Sequence, residues 1–222
     1  EMVLFRVNQV PERLYVRFLN MVGIEPFPPS VARTDLTFWL TTVADQPVVV
    51  PAGTQVMTSV AAATGGSGTD AVVFSTLNEL VVEPPELVGA LAGDVNAGRL
   101  DDVWEDLRFD PQGVRCFPSP TLTPGDALYL AFAKSLAGVA LQLSLDAKAE
   151  GIGVDPRDPP LVWEVWNGEG WIPTSVLDDS TGGLNRAGRI TLLVPMEHQL
   201  LSLGSRAAYW LRGRLLAPKP GQ

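Results

Sequence analysis

Reactive side chains are scarce in this sequence: its 222 residues include a single cysteine, Cys116, and a single histidine, His198. One cysteine cannot form an internal disulfide, and a thiolate metal site would lack its other ligands. His198 has no second histidine to join it, so a loop or surface histidine is a better interpretation than a metal ligand. We therefore expect no metal, no cofactor and no enzymatic activity.

Charged residues are also few. Charged residues make up 18 % of the chain and the net charge is −9, whereas soluble domains carry about 25 % charged residues. An acidic chain is a poor ligand for nucleic acid, which binds clustered cations. Uncharged apolar runs stay shorter than the roughly 18–20 residues that cross a bilayer, so we expect no membrane span. The high apolar content, 46 %, predicts either a large core or a surface that other subunits cover.

Glycine and proline, 21 and 19 residues, punctuate short segments in which apolar and polar residues alternate. Alternation with a period of two predicts strands that bury one face. We expect strands near 36–40, 48–50, 55–58, 72–74, 80–82, 128–132, 141–145, 161–165, 190–194 and 209–211. The turn residues 51–54 predict a hairpin between 48–50 and 55–58.

The predicted fold class is mainly β with an N-terminal α-helical segment, in which two sandwich-like or jelly-roll-like regions follow a broken helix. The predicted domains are an N-terminal helical segment (1–27), a first β-rich region with an acidic insertion (28–122) and a second β-sandwich region (123–222). The chain starts without a capping residue and finishes on a connector-like stretch, so we expect a piece of a longer polypeptide.

The N-terminal segment carries an apolar stripe. Leu14 and Phe18 lie four residues apart, Leu19 widens the stripe, and Gly23 is a suitable C-cap. A helix of this kind packs against partner helices. The residues predicted to form this interface are Leu4, Phe5, Leu14, Phe18 and Leu19, with Arg13 and Arg17 on the flank.

Charges of opposite sign are separated along the chain. Residues 79–110 contain nine acidic residues and two arginines, whereas 206–222 contain four basic residues and no acid. One interpretation is that an acidic surface of Asp101, Asp102, Glu105 and Asp106 meets Arg212 and Arg214 of a neighbouring copy; a solvated acidic loop is the alternative.

Two further patterns could carry chemistry. Trp163, Trp166 and Trp171 flank a short turn and could stack on sugar rings, although tryptophans that cover a sheet are more common. A glycosidase pair could be drawn from Glu164, Glu169, Asp178 and Asp179, but that activity depends on a separation between carboxylates that sequence does not supply. Residues 181–185 lack the lysine of a phosphate loop and are typical of a tight turn.

Several segments together resemble one family. Residues 1–24, 32–40, 50–54, 155–173, 179–188 and 208–212 are similar, in the same order, to the baseplate assembly proteins that are related to the baseplate J-like wedge proteins. Those proteins belong to contractile phage tails and extracellular contractile injection systems.

The resemblance implies a structural wedge subunit that assembles in a ring with other wedge subunits, the hub and sheath-initiating components. It also implies that the subunit relays the trigger for sheath contraction, and that it is built into a phage tail-like particle in the cytoplasm and released with it. No catalytic residue is implied. The alternative function is a carbohydrate-binding β-sandwich module used in target recognition.

Overall fold

The structure is a computed structural model that describes residues 12–24, 30–41, 44–58, 71–147 and 158–217. Contacts divide the chain into two compact units, Glu1–Trp39 and Leu40–Gln222. The first half of the predicted helical segment, with Leu4 and Phe5, lies outside the described residues.

The first unit contains helix α1 (Glu12–Met21). The helix ends as predicted at Gly23, which has a φ of +79°. The backbone N–H groups of Gly23 and Ile24 donate to the carbonyls of Asn20 (3.2 Å) and Leu19 (3.0 Å), so two of the last helical carbonyls are satisfied in a Schellman motif.

The strand predicted at 36–40 is wrong. Residues 30–41 form neither helix nor strand in the structure. Leu36 and Trp39 are 44 % and 51 % exposed, so the alternating pattern has no packed face here. A strand also needs a neighbour for its backbone hydrogen bonds, and no described strand pairs with this segment.

The second unit is built almost entirely from antiparallel strands, which confirms the predicted mainly β fold. Its elements are β1 (Val48–Val50), β2 (Gln55–Met57), β3 (Val73–Ser75), β4 (Leu80–Val82), β5 (Leu87–Asp94), β6 (Arg99–Asp102), helix α2 (Trp104–Phe109), β7 (Ala127–Phe132), β8 (Ala140–Leu145), β9 (Leu161–Trp166), β10 (Trp171–Pro173), β11 (Ser175–Asp179), β12 (Gly188–Leu193), β13 (Leu200–Leu203) and β14 (Arg206–Leu215).

The first four strands form two separate ribbons, and the predicted hairpin is wrong. Strand β1 pairs with β4, and β2 pairs with β3. Residues 51–54 make a local turn but do not reverse the chain, because this stretch bonds to the segment that joins β3 to β4. The N–H of Gly53 donates to the carbonyl of Thr76 (2.8 Å), and the N–H of Thr76 donates to the carbonyl of Thr54 (3.0 Å).

The remaining strands form two larger sheets. One has seven strands in the order β10-β9-β14-β7-β5-β6, with β13 also paired to β14, and the other has three strands in the order β11-β12-β8. Strand β5 pairs with β7, so strands on either side of the predicted boundary at 122/123 lie in one sheet. The acidic insertion therefore supplies two strands, β5 and β6, to the main sheet.

The hydrophobic core lies between these two sheets, as in a β-sandwich. Val165 and Leu211 of the seven-stranded sheet and Ile190 and Leu192 of the three-stranded sheet belong to one cluster, and all four are fully buried. Burial of each such side chain contributes about 1.5–3 kcal/mol. The alternation predicted for these strands therefore has its expected outcome: one face of each points into a shared core.

The opposite face of the seven-stranded sheet carries a second cluster. Trp210 is fully buried there with Ala131, and Tyr129 and Trp171 pack against them half-buried. We call this side the outer face. Trp163 instead belongs to the main core and is 3 % exposed.

The turn that follows β11 is organised by one carboxylate. Asp179 accepts hydrogen bonds from the backbone N–H of Thr181 (2.7 Å), from its hydroxyl (2.6 Å) and from the N–H of Gly183 (3.0 Å). Gly182, Gly183 and Leu184 follow one another with positive φ values of 62°, 73° and 68°. The tight turn predicted here is confirmed, and Leu184 tolerates its unfavourable φ while its side chain joins the core.

The turn yields a stability prediction. A Cβ at Gly183 would lie 2.2 Å from the Cβ of Pro159, at a φ that L residues disfavour. Gly183→Ala therefore combines a left-handed backbone cost of about 1–2 kcal/mol with overpacking of about 1–3 kcal/mol. Gly204→Ala is the matched control, because Gly204 has a φ of +58° and open space around it.

We expect urea denaturation to show a loss of about 2–5 kcal/mol for Gly183→Ala and only about 1–2 kcal/mol for Gly204→Ala. Equal losses in the two variants would contradict the proposed contact with Pro159.

Candidate functional site

Helix α1 presents an uncovered apolar face. Phe18, Met21 and Val22 follow one another at helical spacing and are 61 %, 86 % and 57 % exposed, and Leu19 is half-buried. Arg17, predicted on the flank, is exposed. Side chains of this size are normally buried or paired when they share one face of a helix.

The side chains of the other predicted helix residues lie outside the described part of the structure. Arg13 and Leu14 lie within α1, but their side chains are outside the described part of the structure, as are Leu4 and Phe5 entirely. Phe18, Leu19 and Arg17 are therefore the predicted interface residues whose surroundings are described.

The predicted acidic residues lie along β6 and α2. Asp101 forms an exposed ion pair with Arg99 (2.8 Å), and the carboxylate of Asp102 accepts the backbone N–H of Trp104 (3.0 Å) at the start of α2. Glu105 and Asp106 are exposed in the first turn of α2, where negative charge interacts favourably with the helix dipole. Neither of these two makes an ion pair within the described residues.

The predicted basic residues are already paired inside the chain. On the outer face, Glu164 accepts hydrogen bonds from Nε of Arg212 (2.8 Å) and from Nε (2.9 Å) and Nη2 (2.8 Å) of Arg214. The three residues lie on the neighbouring strands β9 and β14, and Glu164 is directly opposite Arg212. One of the two positive charges is therefore neutralised within the chain.

The same ion pairs control the protonation of Glu164. Burial would raise the pKa of this carboxyl, but the hydrogen bonds from Arg214 and Arg212 outweigh burial and hold its pKa below the ordinary value. Glu164 is 6 % exposed and serves here as the ionised partner of two arginines. A buried ion pair of this kind is costly to break by removal of one partner, by about 3–5 kcal/mol.

Aromatic rings surround this ion cluster. The guanidinium of Arg212 lies 4.1 Å from the centroid of the Trp171 ring. Tyr129 and Trp166 each form a T-shaped ring contact with Trp171, with centroid distances of 5.7 and 5.8 Å. Cation–π and edge-to-face contacts thus involve Trp171, whereas Trp166, the last residue of β9, remains half-exposed beside the edge strand β10.

His198 lies in a loop, which is one of the two predicted alternatives, but it is buried, so the surface alternative is wrong. It is 3 % exposed, and its Nδ1 accepts the backbone N–H of Leu136 (3.1 Å). Because a backbone N–H can only donate, Nε2 carries the proton and faces the carbonyl of Trp210 at 3.3 Å. Burial lowers the pKa of His198, so the neutral ring is the folded form.

The remaining candidate residues are Cys116 and three carboxylates. Cys116 is half-buried, and burial raises the pKa of its thiol, as expected for a small apolar residue. Glu169 and Asp178 are exposed, and Asp179 holds the turn described above.

Within the described ranges, no three His, Cys, Asp or Glu side chains are placed to hold a metal ion. Neither helix among the described residues is long and apolar enough to cross a membrane.

A polar cluster beside the β5–β6 turn, in which Ser119 and Asp126 are buried, was not predicted from the sequence. Ser119 Oγ lies 3.2 Å from Oδ1 of Asp94 and 3.0 Å from Oδ1 of Asp126. Asn96 Nδ2 lies 3.4 Å from Ser119 Oγ and 3.1 Å from the hydroxyl of Thr123. The sequence signal at this place was the turn-like Pro124-Gly125-Asp126 before β7, which marks the start of a β region and says nothing of burial; in the structure Asp126 is fully buried.

No family model matches the chain, and no curated protein matches it.

His198 predicts a pH dependence of stability. The unfolded chain takes up a proton near pH 6.5, and the folded chain does so only at lower pH because its histidine pKa is lowered. The contribution of His198 is therefore fully present above about pH 6.5 and is lost as the pH falls towards the folded pKa. The loss between pH 7.5 and 5.5 is at most about 1.4 kcal/mol.

This loss is measured by urea denaturation at the two pH values. His198→Asn keeps an acceptor for Leu136 but does not titrate, so its stability should change less over this interval. The same pH dependence in this variant and in the parent chain would assign the effect to other groups.

Proposed function

We propose that this chain is a structural wedge subunit of a baseplate, in a contractile injection system or a phage-like tail. It assembles around the hub with other wedge subunits and relays the trigger for sheath contraction. The proposal rests on the exposed apolar face of α1, where Phe18, Met21 and Val22 need a partner surface, together with the family resemblance of the sequence.

Apolar side chains are exposed on other elements as well. In the ribbons, Val49 and Val81 are 50 % and 45 % exposed and Met57 is 71 % exposed. Two-stranded ribbons are marginally stable on their own, so contacts with neighbouring subunits would stabilise them. A subunit that is largely enclosed by an assembly accounts for both features.

Charge would add specificity to such contacts. The acidic surface of Asp101, Asp102, Glu105 and Asp106 would face a basic neighbour. Arg212 and Arg214 are tied to Glu164, so a basic surface on a different wedge or hub component suits this role better than the same chain does. Charge reversal at the four acidic positions should therefore reduce incorporation into particles.

The α1 face gives the sharper test of assembly. Burial of a phenylalanine contributes about 1.5–3 kcal/mol, so Phe18→Asp should lower the affinity of the contact at least tenfold. The measurement is the fraction of the chain that cosediments with native particles, and electron microscopy of the same particles should show a six-fold end plate.

The matched control is Asn20→Asp, which introduces the same charge at an exposed polar position of the same helix. Circular dichroism and thermal unfolding should match the parent chain in both variants. Normal incorporation of Phe18→Asp would refute the assembly role of this face, and a global loss of β signal would make Phe18 an ordinary core residue.

A second candidate function is carbohydrate binding at the outer face, which the half-exposed Trp166 at the end of β9 favours. A flat, accessible indole can stack on a sugar ring. Glycan-array binding that is lost in Trp166→Ala, and retained in Trp39→Ala at another exposed tryptophan, would support this function. An array without binding would remove it.

A further inference from the structure

One buried carboxylate oxygen is left without a partner. Asp126 is fully buried, and its Oδ2 has no hydrogen-bond partner in the part of the chain that the structure describes. No arginine or lysine forms an ion pair with it there. The other oxygen, Oδ1, accepts the backbone N–H of Val95 (3.1 Å) and lies 3.0 Å from Ser119 Oγ. The carboxylate is therefore only partly compensated, and a buried carboxylate is unfavourable unless a cation or donors compensate it.

The oxygens around Asp126 add to the shortage of hydrogen-bond donors. Ser119 Oγ lies near Oδ1 of both Asp94 and Asp126, but a hydroxyl has one proton and donates to one carboxylate at a time. With both carboxylates ionised, at least one of these oxygen–oxygen contacts is therefore not a hydrogen bond. Ser119 is 4 % exposed, so bulk water does not readily supply the missing hydrogen bond.

We infer that the cluster of Asp94, Asn96, Ser119, Thr123 and Asp126 binds a calcium ion. Two carboxylates would balance the charge of one divalent cation. The hydroxyls of Ser119 and Thr123 and the amide of Asn96 add neutral oxygens, with the Asn96 amide turned so that its oxygen faces the ion. Ca²⁺ accepts six to eight oxygen ligands in irregular arrangements, whereas Mg²⁺ demands a regular octahedron.

The position of the cluster gives the ion a structural role. Asp94 ends β5, and the N–H groups of Asn96 and Ala97 donate to its Oδ1. Asp126 lies just before β7 and is bonded through its backbone to Leu215 at the end of β14 (2.8 Å). A bound ion would join the β5–β6 turn, and with it the acidic surface, to the centre of the seven-stranded sheet.

The test is isothermal titration of the chelator-treated chain with CaCl2. We expect one Ca²⁺ per chain and a rise in the unfolding temperature of roughly 5–10 °C at a hundredfold excess over Kd. MgCl2 at the same concentration should bind at least tenfold more weakly. Absence of heat up to about 5 mM Ca²⁺, above the range of weak protein sites, or an equal response to Mg²⁺, would overturn the inference and favour a buried water.

Variants locate the site. Asp126→Asn should abolish the calcium response, and Ser119→Ala should weaken binding at least tenfold while it keeps both carboxylates, which makes it informative if Asp126→Asn does not fold. Asp102→Asn is the matched control, because Asp102 is an exposed carboxylate on the same hairpin. Wild-type calcium binding in both Asp126→Asn and Ser119→Ala would also overturn the inference.

Discussion

Pairing along β14 is the interaction on which the rest of the second unit depends. This strand bonds to β7 along one edge and to β13 and β9 along the other, so it joins segments that are distant in sequence. Its side chains alternate between two buried environments: Leu211 enters the main core, and Trp210 lies in the cluster on the outer face. A strand buried on both faces tolerates little change in register, because a one-residue slip would exchange the two sets of side chains.

The polar groups of the sheet are arranged to permit this burial. Arg212 and Arg214 lie on the outer face, and Glu164 on β9 compensates one of their two charges. The N–H of the Trp210 indole donates to the carbonyl of Leu201 (2.9 Å), and His198 satisfies the carbonyl of Trp210. Buried polar groups that are fully bonded specify a unique arrangement, and the unpartnered oxygen of Asp126 is conspicuous against that background.

The interior pairs most of its buried polar groups, whereas the surface leaves large apolar side chains uncovered on α1 and on both ribbons. The core of the sandwich is complete without them, because its two sheets already bury one another. These exposed residues therefore do not contribute to the stability of the sandwich core. Exposure of these side chains to water is unfavourable and is relieved when a partner covers them, which is the physical argument for the proposed assembly role.

Local patterns in the sequence were sufficient to predict most of the strands. The alternation around Leu128, Leu141, Val165 and Ile190 reports which side chains a strand buries, and this depends on neighbouring residues alone. The Gly23 cap and the turn before Leu184 were predictable for the same reason. The expected strand at 36–40 had the same alternation but no partner strand in the structure, and backbone pairing cannot be read from one segment.

The sequence by itself thus determined the fold class, the scarcity of reactive side chains and the amphipathic character of α1, because each follows from composition or short-range periodicity. Only the tertiary structure decided that β1 pairs with β4, that His198 and Asp126 are buried, and that Arg212 and Arg214 share Glu164. These outcomes require segments far apart in the chain to come together, and the free energy of such contacts depends on the partner as much as on the residue itself.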